Sequence, residues 1–375
     1  MGDAACGYFG LCGGCSNQGV DYPAQVELKR RAVADALGLR DVEAYSLGEF
    51  SYRTRMDFCF HRGGLGFRKR GSWREFFDVE SCMISNGGIN AMLTELRSFF
   101  GDVDAFDPST GAGTFRYAVL RAPFGCSTVS FVLNKDSPRL REALGRVREF
   151  SKETGATNVL AAYVPAKTDS SLSRDYEVVK GSDMLSEPFL GKTFRYHAQG
   201  FFQNNHGVAE LMHSYCRRLL SSHRTGGAHL LDIYGGVGTF GIINADLYES
   251  VRIVESDPGC VEAARQNIEG NGVGNAQAVL SDAKDLRQLE LPSPLHVIAD
   301  PPRAGMHPKA VKRLIELQPE VIVYVSCNIG QLREEMRRFS GYAVADAALF
   351  DMFPQTPHVE AVVELRRQAI GSPSG

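Results

Sequence analysis

LLDIYGGVGTFGI, residues 230–242, decides how this chain folds. An apolar run ends in a cluster of glycines, and an apolar, helix-compatible stretch follows. That is the pattern of a strand, a tight turn and a helix start. Downstream the pattern repeats. SVRIVES (250–256) reads as a strand and PGCVEAARQNIEG (258–270) as a helix. AQAVLSD (276–282) and LHVIADPP (295–302) read as strands, and PKAVKRLIEL (308–317) as a helix. Strand VIVYVSC (321–327), helix IGQLREEMRRF (329–339) and strands near AVADAALFDMF (343–353) and EAVVELRR (360–367) complete the series. Strands alternating with helices predict a mostly parallel, doubly wound α/β sheet, a Rossmann-like domain.

The upstream half has another character. Leu28–Leu39 reads as a short amphipathic helix ending near Gly38. Between residues 50 and 80, Phe58, Phe60, Leu65, Phe67 and Phe76 alternate with polar residues and glycines, as in strands and turns. Ile89–Phe100 suggests a helix, 114–135 and 158–180 further strands, and Val208–Leu220 a helix leading into the glycine turn. The expected organisation is a cysteine-bearing region at 1–20 plus 75–90, a central α+β domain at 21–195, and the α/β domain at 196–375.

Of the 375 residues 43% are hydrophobic, enough for a sizeable core and against wholesale disorder. The formal net charge is -3, which carries no global nucleic-acid signal. No apolar run approaches the roughly 20 residues of a membrane span. The opening MGDAACGYFGLCGGC lacks the charged start and apolar run of a secretory signal. A cytoplasmic location with no membrane partner is the expectation, and nothing implies an obligate protein partner. Nine cysteines in a reducing compartment then suggest metal binding, catalysis or burial rather than disulfides.

In open α/β sheets the ligands sit at the carboxyl ends of the strands. Several chemistry-bearing residues fall there. The glycines let a ligand approach the backbone closely. Glu255 ends the next strand, placed to accept both ribose hydroxyls of a nucleoside, and Asp282 follows the strand after it, within reach of an adenine amino group. The full dinucleotide spacing is not met, so a phosphate-free adenosyl ligand such as S-adenosylmethionine suits the loop better. Asp300 ends a strand before a rigid Pro-Pro turn. In that turn Arg303 stands where adenine methyltransferases need an aromatic ring, and no cysteine follows the proline as in RNA cytosine-5 methyltransferases. Arg303 and Lys309 suit a phosphate-bearing substrate.

Cys327 ends the next strand. A thiolate there could add to C6 of a uracil ring and make C5 nucleophilic enough to accept a methyl group. The C5 proton must then leave to a nearby base. His358 and Glu360 lie in one polar turn before the last strand and supply candidates.

Five stretches together resemble, in order and spacing, the RNA (uracil-C5)-methyltransferase family of RlmC, RlmD and TrmA. They are FFQNN (201–205), LDIYGGVGTFG (231–241), ADPPRAG (299–305), VYVSCNIGQL (323–332) and DMFPQTPHVE (351–360). The resemblance implies a Rossmann-like methyltransferase domain with S-adenosylmethionine as donor. It implies Cys327 as nucleophile and Glu360 as the base for the C5 proton. Gln203, Tyr234, Thr239, Glu255, Asp282 and Asp300 would line the cofactor site. Many members carry Cys or Ser where this chain has Gly235.

Cys6, Cys12 and Cys15 form a C-x5-C-x2-C cluster that needs a fourth ligand, and Cys82 is the best candidate. Cys59 sits in an apolar strand pattern. Zinc and an iron–sulfur cluster both accept four thiolates, and spacing does not choose between them; the family resemblance implies [4Fe-4S]. Cys126, Cys216 and Cys260 read as structural.

From Tyr52 to Arg74 the chain is locally basic. Arg53, Arg55, Arg62, Arg68, Lys69, Arg70 and Arg74 outnumber Asp57, with phenylalanines and Trp73 interleaved, a composition suited to RNA. In length and organisation the resemblance is closest to the RlmC type, which implies a loop uridine of 23S rRNA. A tRNA uracil-C5 methyltransferase is the alternative, and a non-catalytic RNA-binding or folding factor that keeps the fold is another.

Overall fold

The computed structural model describes residues 5–368. In the first half the chain runs α1 (Tyr22–Leu37), β1 (Glu43–Tyr45), β2 (Arg55–His61), β3 (Gly64–Arg68), β4 (Phe76–Asp78) and α2 (Gly87–Phe99). It continues with β5 (Phe115–Arg121), β6 (Thr128–Asn134), α3 (Leu140–Glu153), β7 (Asn158–Val164) and β8 (Tyr176–Lys180). A hairpin of β9 (Met184–Phe189) and β10 (Lys192–His197) follows, then α4 (His206–Ser221) and β11 (His229–Ile233). The second half is α5 (Thr239–Ile243), β12 (Ser250–Glu255), α6 (Pro258–Gly270), β13 (Ala276–Leu280), β14 (Leu295–Ala299) and α7 (Pro308–Leu317). β15 (Val321–Ser326), α8 (Ile329–Met336), β16 (Tyr342–Phe350) and β17 (Glu360–Arg367) end it.

The α/β reading of the second half holds. An eight-stranded sheet has the order β1-β16-β17-β15-β14-β11-β12-β13. Its strands from β13 to β15 are parallel, while β17 runs antiparallel to both β15 and β16. Alternate residues feed two cores. Leu230, Ile253, Ile298, Val323 and Val325 pack on one face, and Leu231, Ile233, Val297, Ile322 and Tyr324 on the other. Helices cover both faces, which is why these strands read as nearly continuous apolar runs. The strand order reverses between β11 and β14, and their carboxyl ends form the crevice where such sheets hold ligands.

Two expected boundaries move. The first helix starts at Tyr22, earlier than Leu28, because Asp21 and Pro23 open it; Gly38, at φ 69°, closes it. This helix belongs to the α/β unit, not to the central domain. Val33 and Ala34 are buried in the same core as Ile322 and Leu349, and β1 pairs in parallel with β16 through Tyr45↔Phe350. The β9–β10 hairpin also sits on the α/β unit. Asn267 of α6 and Asn271, which caps its end, accept hydrogen bonds from the backbone of Arg195 (2.7 Å) and Thr193 (2.9 Å). Sequence patterning did not show either docking, because each segment is local and its partner is distant.

The central domain is a seven-stranded sheet of order β4-β3-β2-β5-β6-β7-β8. It is antiparallel except for β6–β7, which are parallel and joined across α3. Phe58, Phe60, Phe115, Phe131 and Phe150 fill its core with α2 and α3. Among the described residues no helix is long and apolar enough to cross a membrane.

Candidate active site

Strand register brings the chemistry together. Ser326 of β15 pairs with Ala361 of β17, so Cys327 and Glu360, one step beyond each, lie side by side at the same sheet end. Ile233 of β11 pairs with Ala299 of β14, so Tyr234 and Asp300 leave the sheet as neighbours. Asp300 sits between these groups at the reversal of strand order.

Three acidic groups therefore crowd one crevice. Burial pushes the Asp300 carboxyl up to about 7. Glu360 is 4% exposed, and burial followed by the charge of Asp300 drives its carboxyl well above the usual range. The Cys327 thiol is pushed up to about 11, first by burial, then by Glu360 and Asp300, with Arg303 pulling the other way. Like charges at close range disfavour ionisation of one another, so the resting site holds protons. Arg303 is exposed on the Pro-Pro turn, and its carbonyl accepts a hydrogen bond from the Asn328 side chain at 3.1 Å. Asn328 also caps α8 by accepting from Gly330 and Gln331. The residue after the thiol thereby ties its strand end to the turn.

The glycine loop is stitched shut by an acid that patterning passed over. Asp232 is buried within β11, and its Oδ2 accepts the Gly241 N–H at 2.8 Å. Burial pushes its carboxyl up to about 8. Its Oδ1 has no protein partner, which a neutral carboxyl tolerates better than an ionised one. The signal was present: an aspartate inside the apolar run LLDI. A Cβ at Gly235 would stand 2.5 Å from Ile253 Cγ2 and 3.2 Å from Asp232 Oδ2. Gly235→Ala is expected to cost about 1–3 kcal/mol through overpacking, read as a lower denaturation midpoint and weaker S-adenosylmethionine binding by calorimetry. Gly235 is thus needed for space, where the sequence suggested only a missing side chain.

Glu255 anchors the far side of the loop. Its Oε2 accepts the Gly236 N–H at 3.1 Å, and its Oε1 accepts the Ser256 and Asp257 N–H groups at 2.6 and 2.7 Å. Thr239 is the first residue of α5. Tyr234 holds φ 60°, and its hydroxyl accepts the His307 N–H at 3.3 Å. Asp282 caps the short 3-10 helix Ala283–Gln288 and pairs with Lys284 Nζ at 2.8 Å, which holds its carboxyl below the usual range. Gln203 is half-buried in the loop before α4, and that loop lies against DMFPQTPHVE, because Asn205 Nδ2 donates to the Met352 carbonyl at 3.3 Å. A second unforeseen group is Glu335 of α8. It is buried, accepts the Tyr324 hydroxyl and the Met306 N–H, and so braces the Pro-Pro turn from below.

A family model described as tRNA (uracil-5-)-methyltransferase matches residues 173–368. The tRNA (uracil(54)-C(5))-methyltransferase of Pyrococcus horikoshii is 34% identical over 366 residues, covering 96% of this chain and 85% of that protein. The chain belongs to the RNA (uracil-C5)-methyltransferase family. The Pyrococcus abyssi tRNA (uracil(54)-C(5))-methyltransferase is 32% identical over 96% of this chain and 85% of that protein. Its crystal structure with S-adenosyl-L-homocysteine superposes with a TM-score of 0.79 and 30% identity, covering 95% of this chain and 86% of that one. An RNA methyltransferase of Thermotoga maritima is 29% identical over 96% of this chain and 84% of that protein. This RNA (uracil-C5)-methyltransferase uses S-adenosylmethionine and acts on RNA.

The cysteine region and the basic track lie on one side of this RNA methyltransferase. Cys6, Cys12, Cys15 and Cys82 line one small pocket with Tyr8, Phe9, Phe67, Val79 and Ile84. Burial, and secondarily the neighbouring thiols, pushes the Cys15 thiol up to about 11. Among the described residues no group of three or more His, Cys, Asp or Glu is drawn together as a metal-ion site. Cys59 is buried in β2, as its apolar pattern suggested. Arg53, Arg55 and Arg68 line a neighbouring cavity of about 460 Å³ with Cys12, Cys15 and Cys82. Arg55 and Arg68 pair with Asp57 and Asp169, at 2.9 and 3.0 Å, so part of the basic run is neutralised. Arg62, Arg70, Trp73 and Arg74 are exposed, with the Arg74 guanidinium 4.3 Å from the Trp73 ring centre.

Proposed function

We propose that the enzyme forms 5-methyluridine in tRNA by covalent catalysis, with Cys327 as nucleophile and Glu360 as base. The observation that carries this is the register placing Cys327, Glu360 and Asp300 at one strand-end crevice beside the glycine loop. The Cys327 thiolate bonds to C6 of uracil, and the C5=C6 electron pair moves to C5. S-adenosylmethionine, when bound, would supply the methyl group that C5 takes, its S–CH3 bond breaking to leave S-adenosylhomocysteine. Glu360 then accepts the C5 proton; its electron pair re-forms C5=C6 and expels the thiolate. Tyr234, Glu255 and the amides around Gly236 would hold the donor, with Gln203, Thr239, Asp282 and Asp300 at its edges. The target base leaves its stack to reach the thiol, and the exposed Arg62, Arg70 and Arg74 carry the phosphates.

Transfer RNA is favoured over the 23S rRNA expected from the sequence because the Pyrococcus relatives act on uracil 54 of tRNA. Mapping 5-methyluridine in tRNA and 23S rRNA, from cells with and without the gene, decides it. Loss from a tRNA position supports this reading, and loss from 23S rRNA alone replaces it.

Cys6, Cys12, Cys15 and Cys82 line one apolar pocket and supply the four-thiolate donor set of a [4Fe-4S] cluster, although the structure does not draw them together as a preformed site. Zinc is the alternative for the same donors. Bound there, the group would cross-link the N-terminal loop to the central domain.

The charge pattern predicts a pH dependence. A thiol near 11 is ionised in only about one molecule in ten thousand at pH 7, so adduct formation should rise with pH through the neutral range. Part of that upward push comes from Glu360. Glu360→Gln should therefore shift the pH profile of covalent trapping by 5-fluorouridine RNA toward lower pH. An unshifted profile would mean that the two groups do not interact.

A further inference from the structure

The turn that carries Glu360 is gripped by the cysteine region. Cys15 lines the four-thiol pocket, and the next two backbone N–H groups, of Ser16 and Asn17, both donate to the carbonyl of Gln355, at 3.0 and 3.1 Å. The grip continues along α1. Gln25, 1% exposed, donates from one Nε2 to the Asn17 carbonyl (3.1 Å), the Val20 carbonyl (2.8 Å) and Gln355 Oε1 (3.0 Å). Lys29 Nζ reaches Asp351 Oδ1 at 2.6 Å and the Phe353 carbonyl at 3.0 Å, and the Tyr22 hydroxyl donates to Asp351 Oδ2 at 2.9 Å. The pocket side is closed too: the Cys6 N–H donates to Gln18 Oε1 at 3.1 Å.

Gln355 itself is unusual. It is 1% exposed and holds φ 66°, a left-handed conformation that costs free energy in a non-glycine residue. Such a conformation persists only where its surroundings over-determine it. Here the surroundings are the Ser16 and Asn17 amides, Gln25, and Glu49, whose carboxylate accepts the Gln355 Nε2 at 2.6 Å. Beyond Gln355, the Thr356 hydroxyl bonds back to the Phe353 carbonyl at 2.7 Å and accepts the His358 N–H at 3.2 Å. Hydrogen bonds, most of them at least partly buried, therefore run from beside Cys15 through Gln355 as far as His358, two residues before Glu360.

We propose that residues 15–25 are the seat of the Glu360 turn, so that the state of the four-thiol pocket is transmitted to proton removal from C5. The inference rests on Glu360 being the base. Gln25 and Gln355 are positioning residues: they touch no reacting atom and act by holding Glu360 in place. Thiol attack and methyl transfer precede proton removal, so loosening the seat slows only the last step. A displacement of about 1 Å in a reacting group costs on the order of a hundredfold in rate.

The test uses Cys15→Ala and Gln25→Leu in the full-length protein, with wild type and Glu360→Gln beside them. Iron and zinc contents are measured for each. The RNA probe is an unmodified transcript that the wild-type enzyme methylates, tritiated at C5 of uridine, and a 5-fluorouridine version of it. Both seat variants should trap 5-fluorouridine RNA at close to the wild-type rate. Both should release tritium at least about tenfold more slowly, accumulate covalent adduct on ordinary uridine RNA, and exchange backbone hydrogens faster across residues 351–360. A seat that served stability alone would lower trapping and tritium release together, and that result overturns the proposal. So does wild-type tritium release in both variants while Glu360→Gln blocks it. If Glu360→Gln itself releases tritium normally, the assignment of the base is what fails, and the inference falls with it.

Discussion

Cys327→Ala protein should bind S-adenosylmethionine and RNA yet make no 5-methyluridine, a loss of at least about 10⁴-fold in turnover. The size of the effect follows from the substrate. C5 of uracil is a poor nucleophile until C6 carries an electron-donating adduct. Among the described residues, Cys216 is fully buried on α4, where burial pushes its thiol well up, and Cys260 lies on α6. The substitution should be mild for the fold, because Cys327 is only half-buried and lies beyond the last residue of β15. The measurement pairs methyl incorporation with trapping by 5-fluorouridine RNA, and both should vanish. Methylation at the normal rate would refute the covalent route.

Glu360→Gln should behave differently in kind. Attack by the thiol and methyl transfer need no base at C5, so the adduct forms and then stalls. Turnover should fall about 10²–10⁴-fold, the range of a general base, while a methylated protein–RNA adduct builds up on ordinary uridine RNA and shows in denaturing gels. Glutamine matches glutamate in volume and resembles the neutral carboxyl that burial beside Asp300 favours at Glu360, so the substitution should not unfold the domain. Loss of turnover with no adduct would place Glu360 before methyl transfer.

The α/β half was legible because its strands are buried on both faces and its turns carry Gly, Pro or Asn at defined positions. The strand ends that hold Cys327, Asp300 and Glu360 could be located for the same reason. Some contacts escaped the pattern. Asp232 looks like a single interruption of an apolar run and Glu335 like one more charge on a charged helix, and only tertiary contact shows that each braces a loop of the site. Helix α1 gives no hint in its own residues of Asp351, far along the chain, which Lys29 neutralises in a buried pair. Asp282 reads as a ligand by position, while its carboxylate engages Lys284 and the cap of the following helix.

The parallel pairing of β1 with β16 also bears on how the chain folds. Glu43–Tyr45 and its partner Ala348–Phe350 lie far apart in sequence, with the whole central unit and most of the catalytic sheet between them. The cost of closing so long a loop is entropic and grows with the free chain between the ends. The seven-stranded unit between them can fold first, since all its strands are contiguous in sequence. Once folded, it converts a long floppy tether into a short stiff one. The edge strand then has a shorter effective loop to close, and its pairing with β16 completes the catalytic sheet.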